Sequence, residues 1–270
     1  TKRRRRTWDF SWIGFVFISH VSANEDSYAI LKNAQSAMKE GRYYQAKSYL
    51  DAVLEINPDD MYARFCLGLC YEKLGIFSRA KSEYMTILRT DPANETVLLR
   101  MGMLFERQNK FSTALSLYKR VVHLCPGQVS AHCAIGRISA RCMDEATAAN
   151  SFAEALRRDP SCIEALLGLG NLYQRKQQFL PAMECFKKVK LLRPGMGCAY
   201  HDLADLYTAQ QDYQKAKNEY QELLKINPQD AKAYYMLGRV EDLLGNRELA
   251  VLYLKKALEI YGDYSEIILP

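Results

Sequence analysis

A chain of 270 residues that is 49% hydrophobic and 25% charged has the balance of an ordinary folded protein, which excludes a chain too polar to bury a core. Its net charge of +6 does not describe a nucleic-acid binder. Residues 1–23 hold five basic residues against one acid, whereas residues 24–270 hold 32 against 30, so no basic stripe crosses the body.

The chain opens on a segment that reads as an export signal. A basic run from Lys2 to Arg6 precedes the apolar stretch Trp12-Ile13-Gly14-Phe15-Val16-Phe17-Ile18, and Val21-Ser22-Ala23 supplies small residues at the two positions a signal peptidase needs. The apolar stretch is far shorter than the ~20 residues of a membrane-spanning helix, so no stable transmembrane span is expected. On this reading residues 1–23 are a signal peptide and the protein is exported, to a periplasm or out of the cell. Asp9 at the basic–apolar junction and His20 near the cut fit instead a basic tail. Cysteines at 66, 70, 125, 133, 142, 162, 185 and 198 show no disulfide-framework spacing and suit a reducing, cytoplasmic setting. Both compartments stay open. A start at Thr1 adds the reading that the chain is part of a longer protein.

From residue 27 the sequence is periodic. Pro58, Pro92, Pro126, Pro160, Pro194 and Pro228 follow one another at intervals of 34, and Gly262 takes the next slot. Counting back from each sets seven units: 27–60, 61–94, 95–128, 129–162, 163–196, 197–230 and 231–264. The eighth position is always small (Ala34, Gly68, Gly102, Gly136, Gly170, Ala204, Gly238) and the twentieth is always alanine, from Ala46 to Ala250. The twenty-fourth is large and apolar: Leu50, Tyr84, Tyr118, Phe152, Phe186, Tyr220, Leu254. The eleventh is aromatic in four units, at Tyr71, Phe105, Tyr173 and Tyr207. Apolar residues at 4, 7, 8 and 11, then at 20, 24 and 27, predict two helices per unit. Polar turns such as Glu40-Gly41-Arg42 and Gln210-Gln211-Asp212 separate them. Each second helix ends ahead of its proline, because the residue before proline is pushed out of the helical region. Paired small positions mark where the two helices of a hairpin cross closely.

This pattern, seven times in phase over about nine tenths of the chain, resembles the tetratricopeptide repeat family. The resemblance implies an all-α fold, a right-handed α-solenoid of helix–turn–helix units over 24–264, with first helices lining a concave groove. A lone hairpin cannot bury its apolar faces, whereas stacked neighbours share a continuous core. The fourth repeat departs most from the pattern: Ser139 replaces an aromatic, His132 fills an apolar slot, and Met143-Asp144-Glu145 replaces a glycine-containing turn.

Reactive chemistry is sparse. There is no GxxxxGK[ST] phosphate loop, no HExxH zinc helix and no GxSxG elbow, so the chain is expected to be neither an enzyme nor a carrier of a cofactor. His123, Cys125, His132 and Cys133 are metal-ligand types close together, but adjacent His132 and Cys133 diverge by about 100° on one helix and suit no tetrahedral ion. Cys66 and Cys70 read as core.

The resemblance also implies that positions 2, 5, 9, 12 and 13 of each unit face the groove. No unit carries the Lys/Asn pair at positions 5 and 9 of the carboxylate clamp that grips chaperone C-termini. The asparagine ladder of the O-linked N-acetylglucosamine transferase array is missing too. What remains in repeats one to three is an apolar floor of Tyr28, Leu31, Met38, Tyr62, Phe65, Leu69, Leu99 and Met103, joined in repeats three to five by Arg107, Arg137, Arg141 and Arg175. The expected function is a protein–protein interaction module whose groove takes a peptide or helical segment of a partner. The rivals are a structural subunit contacting partners by its ends and convex face, and a repeat segment of a longer enzyme. The chain closes on the short apolar segment 265–270, which makes a poor cap. The seventh repeat's outer face, with Val251 and Leu254, is therefore expected to be covered by self-association, a partner or further residues.

Overall fold

The computed structural model describes residues 25–262 and holds, among them, fourteen α-helices and no strand. The chain forms two compact units that divide between Leu124 and Cys125, where the second helix of the third repeat ends. In the first unit α1 (Glu25–Lys39) pairs with α2 (Tyr43–Ile56), α3 (Met61–Lys73) with α4 (Phe77–Thr90), and α5 (Glu95–Arg107) with α6 (Phe111–Leu124). The second unit holds four pairs: α7 (Val129–Arg141) with α8 (Glu145–Arg158), α9 (Ile163–Arg175) with α10 (Phe179–Leu192), α11 (Gly197–Ala209) with α12 (Tyr213–Ile226), and α13 (Ala231–Leu243) with α14 (Arg247–Tyr261). Inside each unit the second helix of one pair also packs on the first helix of the next.

The starts and stops of these helices follow from side chains at fixed places in the repeat. Asp60, Asn94, Asp144, Asp212 and Asp230 cap helix N-termini, each side chain accepting from the backbone N–H three residues on at 2.9–3.2 Å. Ahead of four of the prolines, Asn57, Asp91, Asp159 and Asn227 accept from the N–H two residues on and shape the inter-repeat turn. The turn inside each hairpin is a single design used seven times. The N–H of its sixteenth residue donates to the carbonyl of its eleventh, as from Ile76 to Tyr71 at 2.9 Å and from Asp144 to Ser139 at 2.9 Å. The fifteenth residue is left-handed in every unit. Gly41, Gly75 and Gly245 fill three of these positions, but Asn109, Met143, Gln177 and Gln211 take φ of 58° to 62° without being glycine. The fourth repeat therefore keeps the same turn without the glycine.

The small eighth position has a more specific cause than helix crossing alone. A methyl on Gly68 would lie 2.4 Å from Cε1 of Tyr84, one on Gly102 2.5 Å from Tyr118, and one on Gly170 2.7 Å from Phe186. Glycine leaves room for the ring at position 24 of its own hairpin. Where that ring is tyrosine its buried hydroxyl needs an acceptor. Tyr84 donates to Glu72 at 2.6 Å, Tyr118 to Glu106 at 3.1 Å, and Tyr220 to Asp205 at 2.8 Å. The twentieth-position alanines are all buried.

His132 is explained by a backbone acceptor. Its Nε2 lies 3.0 Å from the carbonyl of Pro126, so that nitrogen carries the proton and donates. Two other repeats do the same from the fourth position: Arg64 donates to Pro58 at 2.6 Å and Tyr200 to Pro194 at 3.0 Å. In the second unit Glu241, wholly buried at position eleven, pairs with Lys217 at 2.8 Å and accepts from Asn246 at 2.8 Å. That contact ties the sixth repeat to the seventh.

Candidate functional site

In the first unit the groove positions lie on α1, α3 and α5. Tyr28 is 64% exposed, Leu31, Tyr62, Leu99 and Met103 are half-buried, and Arg107 is exposed. Gln35 on α1 donates from Nε2 to the Tyr62 hydroxyl at 3.0 Å and links the first two repeats across this face. Burial pushes the Tyr62 hydroxyl above its ordinary pKa. Met38, Phe65 and Leu69 stand apart from the other five, only 8%, 6% and 7% exposed. Phe65 packs on Tyr84, ring centroids 6.0 Å apart, and so leans into its own hairpin. The accessible apolar floor is thus narrower than the sequence implies: Tyr28, Leu31, Tyr62, Leu99 and Met103.

In the second unit the arginines arrive with carboxylates. Arg137 on α7 pairs with Glu164 on α9, and Arg175 on α9 lies 3.7 Å from Glu145 on α8. Arg141 is exposed at the end of α7. Further along, α11 presents an acidic cluster that the sequence reading passed over. His201 Nε2 lies 3.4 Å from Asp230, Asp205 holds the Tyr220 hydroxyl, and half-buried Asp202 sits near Lys232. Burial first, then the charge of Asp205, push the Asp202 carboxyl up to about 6, against the lowering effect of Lys232. The signal available in the sequence was His201, Asp202 and Asp205 at positions 5, 6 and 9 of one unit.

Cys66 and Cys70 are buried, and burial pushes both thiols up to about 12, so they behave as core hydrophobes. His132 and Cys133 have different partners, a proline carbonyl and the thiol of Cys162. Among the described residues no group of three or more His, Cys, Asp or Glu is placed to hold a metal ion, and no helix is long and apolar enough to cross a membrane.

Comparison with known proteins decides the family. Models described as tetratricopeptide repeat match residues 31–95, 96–127, 163–195 and 195–263. The chain belongs to the tetratricopeptide repeat family. The whole of the fourth repeat, 129–162, the one whose side chains depart furthest from the pattern, lies outside these four matches. No curated protein sequence matches the chain. Among solved tetratricopeptide repeat structures, one from Cytophaga hutchinsonii is 17% identical with a TM-score of 0.68, covering 87% of this chain and 97% of that one. Another, from Parabacteroides merdae, is 19% identical with a TM-score of 0.65 over 90% of this chain and 95% of the other. YrrB, described as a tetratricopeptide repeat protein with an unusual peptide-binding site, is 19% identical with a TM-score of 0.57, covering 67% and 93%. At these identities the likeness is one of fold.

Proposed function

We propose that this tetratricopeptide repeat chain is a non-catalytic protein–protein interaction module that holds an extended or helical segment of a partner on its first-helix faces. The observation that carries the reading is the apolar floor of the first unit. Tyr28, Leu31, Tyr62, Leu99 and Met103 line three successive first helices and retain accessible surface, and a ligand side chain seated there would lose water on both sides. Met38, Phe65 and Leu69 sit on the same helices but are buried and offer a ligand little surface. Arg107 extends the same face on α5 and offers charge to a segment with acidic residues beside its hydrophobic anchor; Arg137, Arg141 and Arg175 present charge separately, on the second unit's own first helices, to an acidic segment held there. Glu164 and Glu145 would be displaced by such a ligand, so these arginines act more on selectivity and association rate than on affinity.

The test is affinity capture from the native source on the intact protein and on Leu99→Ala/Met103→Ala. The double variant is expected to weaken capture by about 2–3 kcal/mol, as truncating central apolar anchors does. Undiminished capture overturns the reading.

A second reading, the structural subunit, draws on the other end of the chain. Val251, Leu252 and Leu258 on α14 are 51%, 56% and 58% exposed, whereas Leu254 packs over Gly238 inside the hairpin. An apolar stripe of that kind suits an end-to-end contact. Export remains part of the proposal; the signal-like residues 1–23 and the apolar segment 265–270 lie outside the described residues. A mature N-terminus at Asn24 on protein from the native source would bear export out, and intact residues 1–23 would sink it.

A further inference from the structure

Cys133 and Cys162 stand 29 positions apart in the chain, and their Sγ atoms are 3.5 Å from one another. They come from successive repeats. Cys133 is a buried residue of α7, at the groove-facing fifth position, and Cys162 is the half-buried N-cap residue of α9. A disulfide needs sulfurs about 2.05 Å apart, so the gap to close is about 1.5 Å, within reach of side-chain rotation between helices that already touch. A second contact spans the same joint. Arg137, one turn beyond Cys133, pairs with Glu164, two residues beyond Cys162. Around the sulfurs lies an apolar cluster that includes Ala148, Phe152 and Leu169.

We propose that Cys133 and Cys162 form a reversible disulfide that fastens the fourth repeat to the fifth. The oxidant is a low-molecular-weight disulfide of the glutathione type. Cys162, the more accessible thiol, attacks as its thiolate. The S–S bond of the oxidant breaks, one glutathione leaves as a thiolate and takes up a proton, and a mixed disulfide stays on Cys162. Cys133 then gives up its proton, attacks the Cys162 sulfur and expels the second glutathione thiolate, which is protonated in turn. Two protein thiols are oxidised to one disulfide while one glutathione disulfide is reduced to two thiols. A dithiol reductant reverses both steps. Burial first, and then the neighbouring Cys162, push the Cys133 thiol up, so the exchange does not start at Cys133. This pairing stands whether or not the first-helix faces bind a partner.

The experiment treats the full chain with oxidised glutathione, blocks remaining thiols, and maps non-reduced tryptic peptides. Peptides 121–137 and 159–175 are expected as the dominant intramolecular link, with fragment ions placing it on Cys133 rather than Cys125. Exposed Cys142 and Cys198 are expected to carry glutathione only. Cys162→Ser, which puts a favourable N-cap residue in place, should fold, lose the link and leave Cys133 unmodified until the chain unfolds. Oxidation should raise the melting temperature by roughly 5 °C, and dithiothreitol should return it. A glutathione adduct that persists on Cys162, or a dominant link through Cys125, Cys142 or Cys198, overturns the pairing. A disulfide that forms with no shift in melting overturns its role as a fastening.

Discussion

A methyl group at Gly102 would meet Cε1 of Tyr118 at 2.5 Å, well inside contact distance. The sixth repeat shows how such a crowding can be accommodated. There Ala204 takes the glycine's place, and the Tyr220 hydroxyl reaches an acid at position nine, Asp205, instead of one at position twelve. Gly102→Ala is therefore expected to fold with a shifted ring and to lose about 1–3 kcal/mol in urea unfolding; a loss within experimental error would contradict the packing described. Asp202 gives a pH dependence with a defined sign. Its folded pKa, about 6, lies above the unfolded value of about 4, so its contribution to stability is present below pH about 4 and is lost as pH rises through about 6. Asp202→Asn should thus be more stable than the parent above pH 6, with the difference shrinking towards pH 4 in parallel thermal melts. At this scale the sequence was only partly legible. Phe65 and Leu99 share a repeat position and both hairpins supply a tyrosine at position 24, yet one is buried and the other half-buried, a difference the repeat pattern does not carry. The arginines were visible as charges; Glu164 and Glu145 were not visible as their partners, since the pairs span 27 and 30 positions.

The helices themselves were the most legible level. A period of 34, small residues at 8 and 20 and a proline at 32 all report on local geometry that every unit must satisfy, so they survive in the sequence. The hairpin turn was legible only where glycine marks it. At Met143 the left-handed φ of 62° is imposed by the bond from Asp144 to Ser139 and by the packing of α7 on α8, none of which composition reveals. Holding a side chain there costs about 1–2 kcal/mol. Met143→Gly is expected to recover part of this, stabilising the chain by about 0.5–1 kcal/mol in urea melts and slowing amide exchange at the α7–α8 turn. Loss of stability would mean that the Met143 side chain, 73% exposed, makes a contact worth more than the backbone strain.

For the molecule as a whole, the fold was legible and the occupied surface was not, because a repeat pattern specifies how units stack and says little about what they grip. Two faces compete. The α14 stripe predicts association: Val251→Asp/Leu258→Asp should convert a concentration-dependent dimer to monomer in sedimentation velocity, and a parent chain that is monomeric at every concentration would remove that face from consideration. The central claim concerns the first-helix face instead. Lysine cross-linking of the chain with its captured partner, read by mass spectrometry, tests it most directly. The account predicts partner links at Lys39 and Lys73, at position thirteen of the first and second repeats, the last residues of α1 and α3, and Leu99→Ala/Met103→Ala should remove them. Links confined to Lys255 and Lys256 on α14 and to second-helix lysines such as Lys81, unaffected by that double substitution, would contradict it.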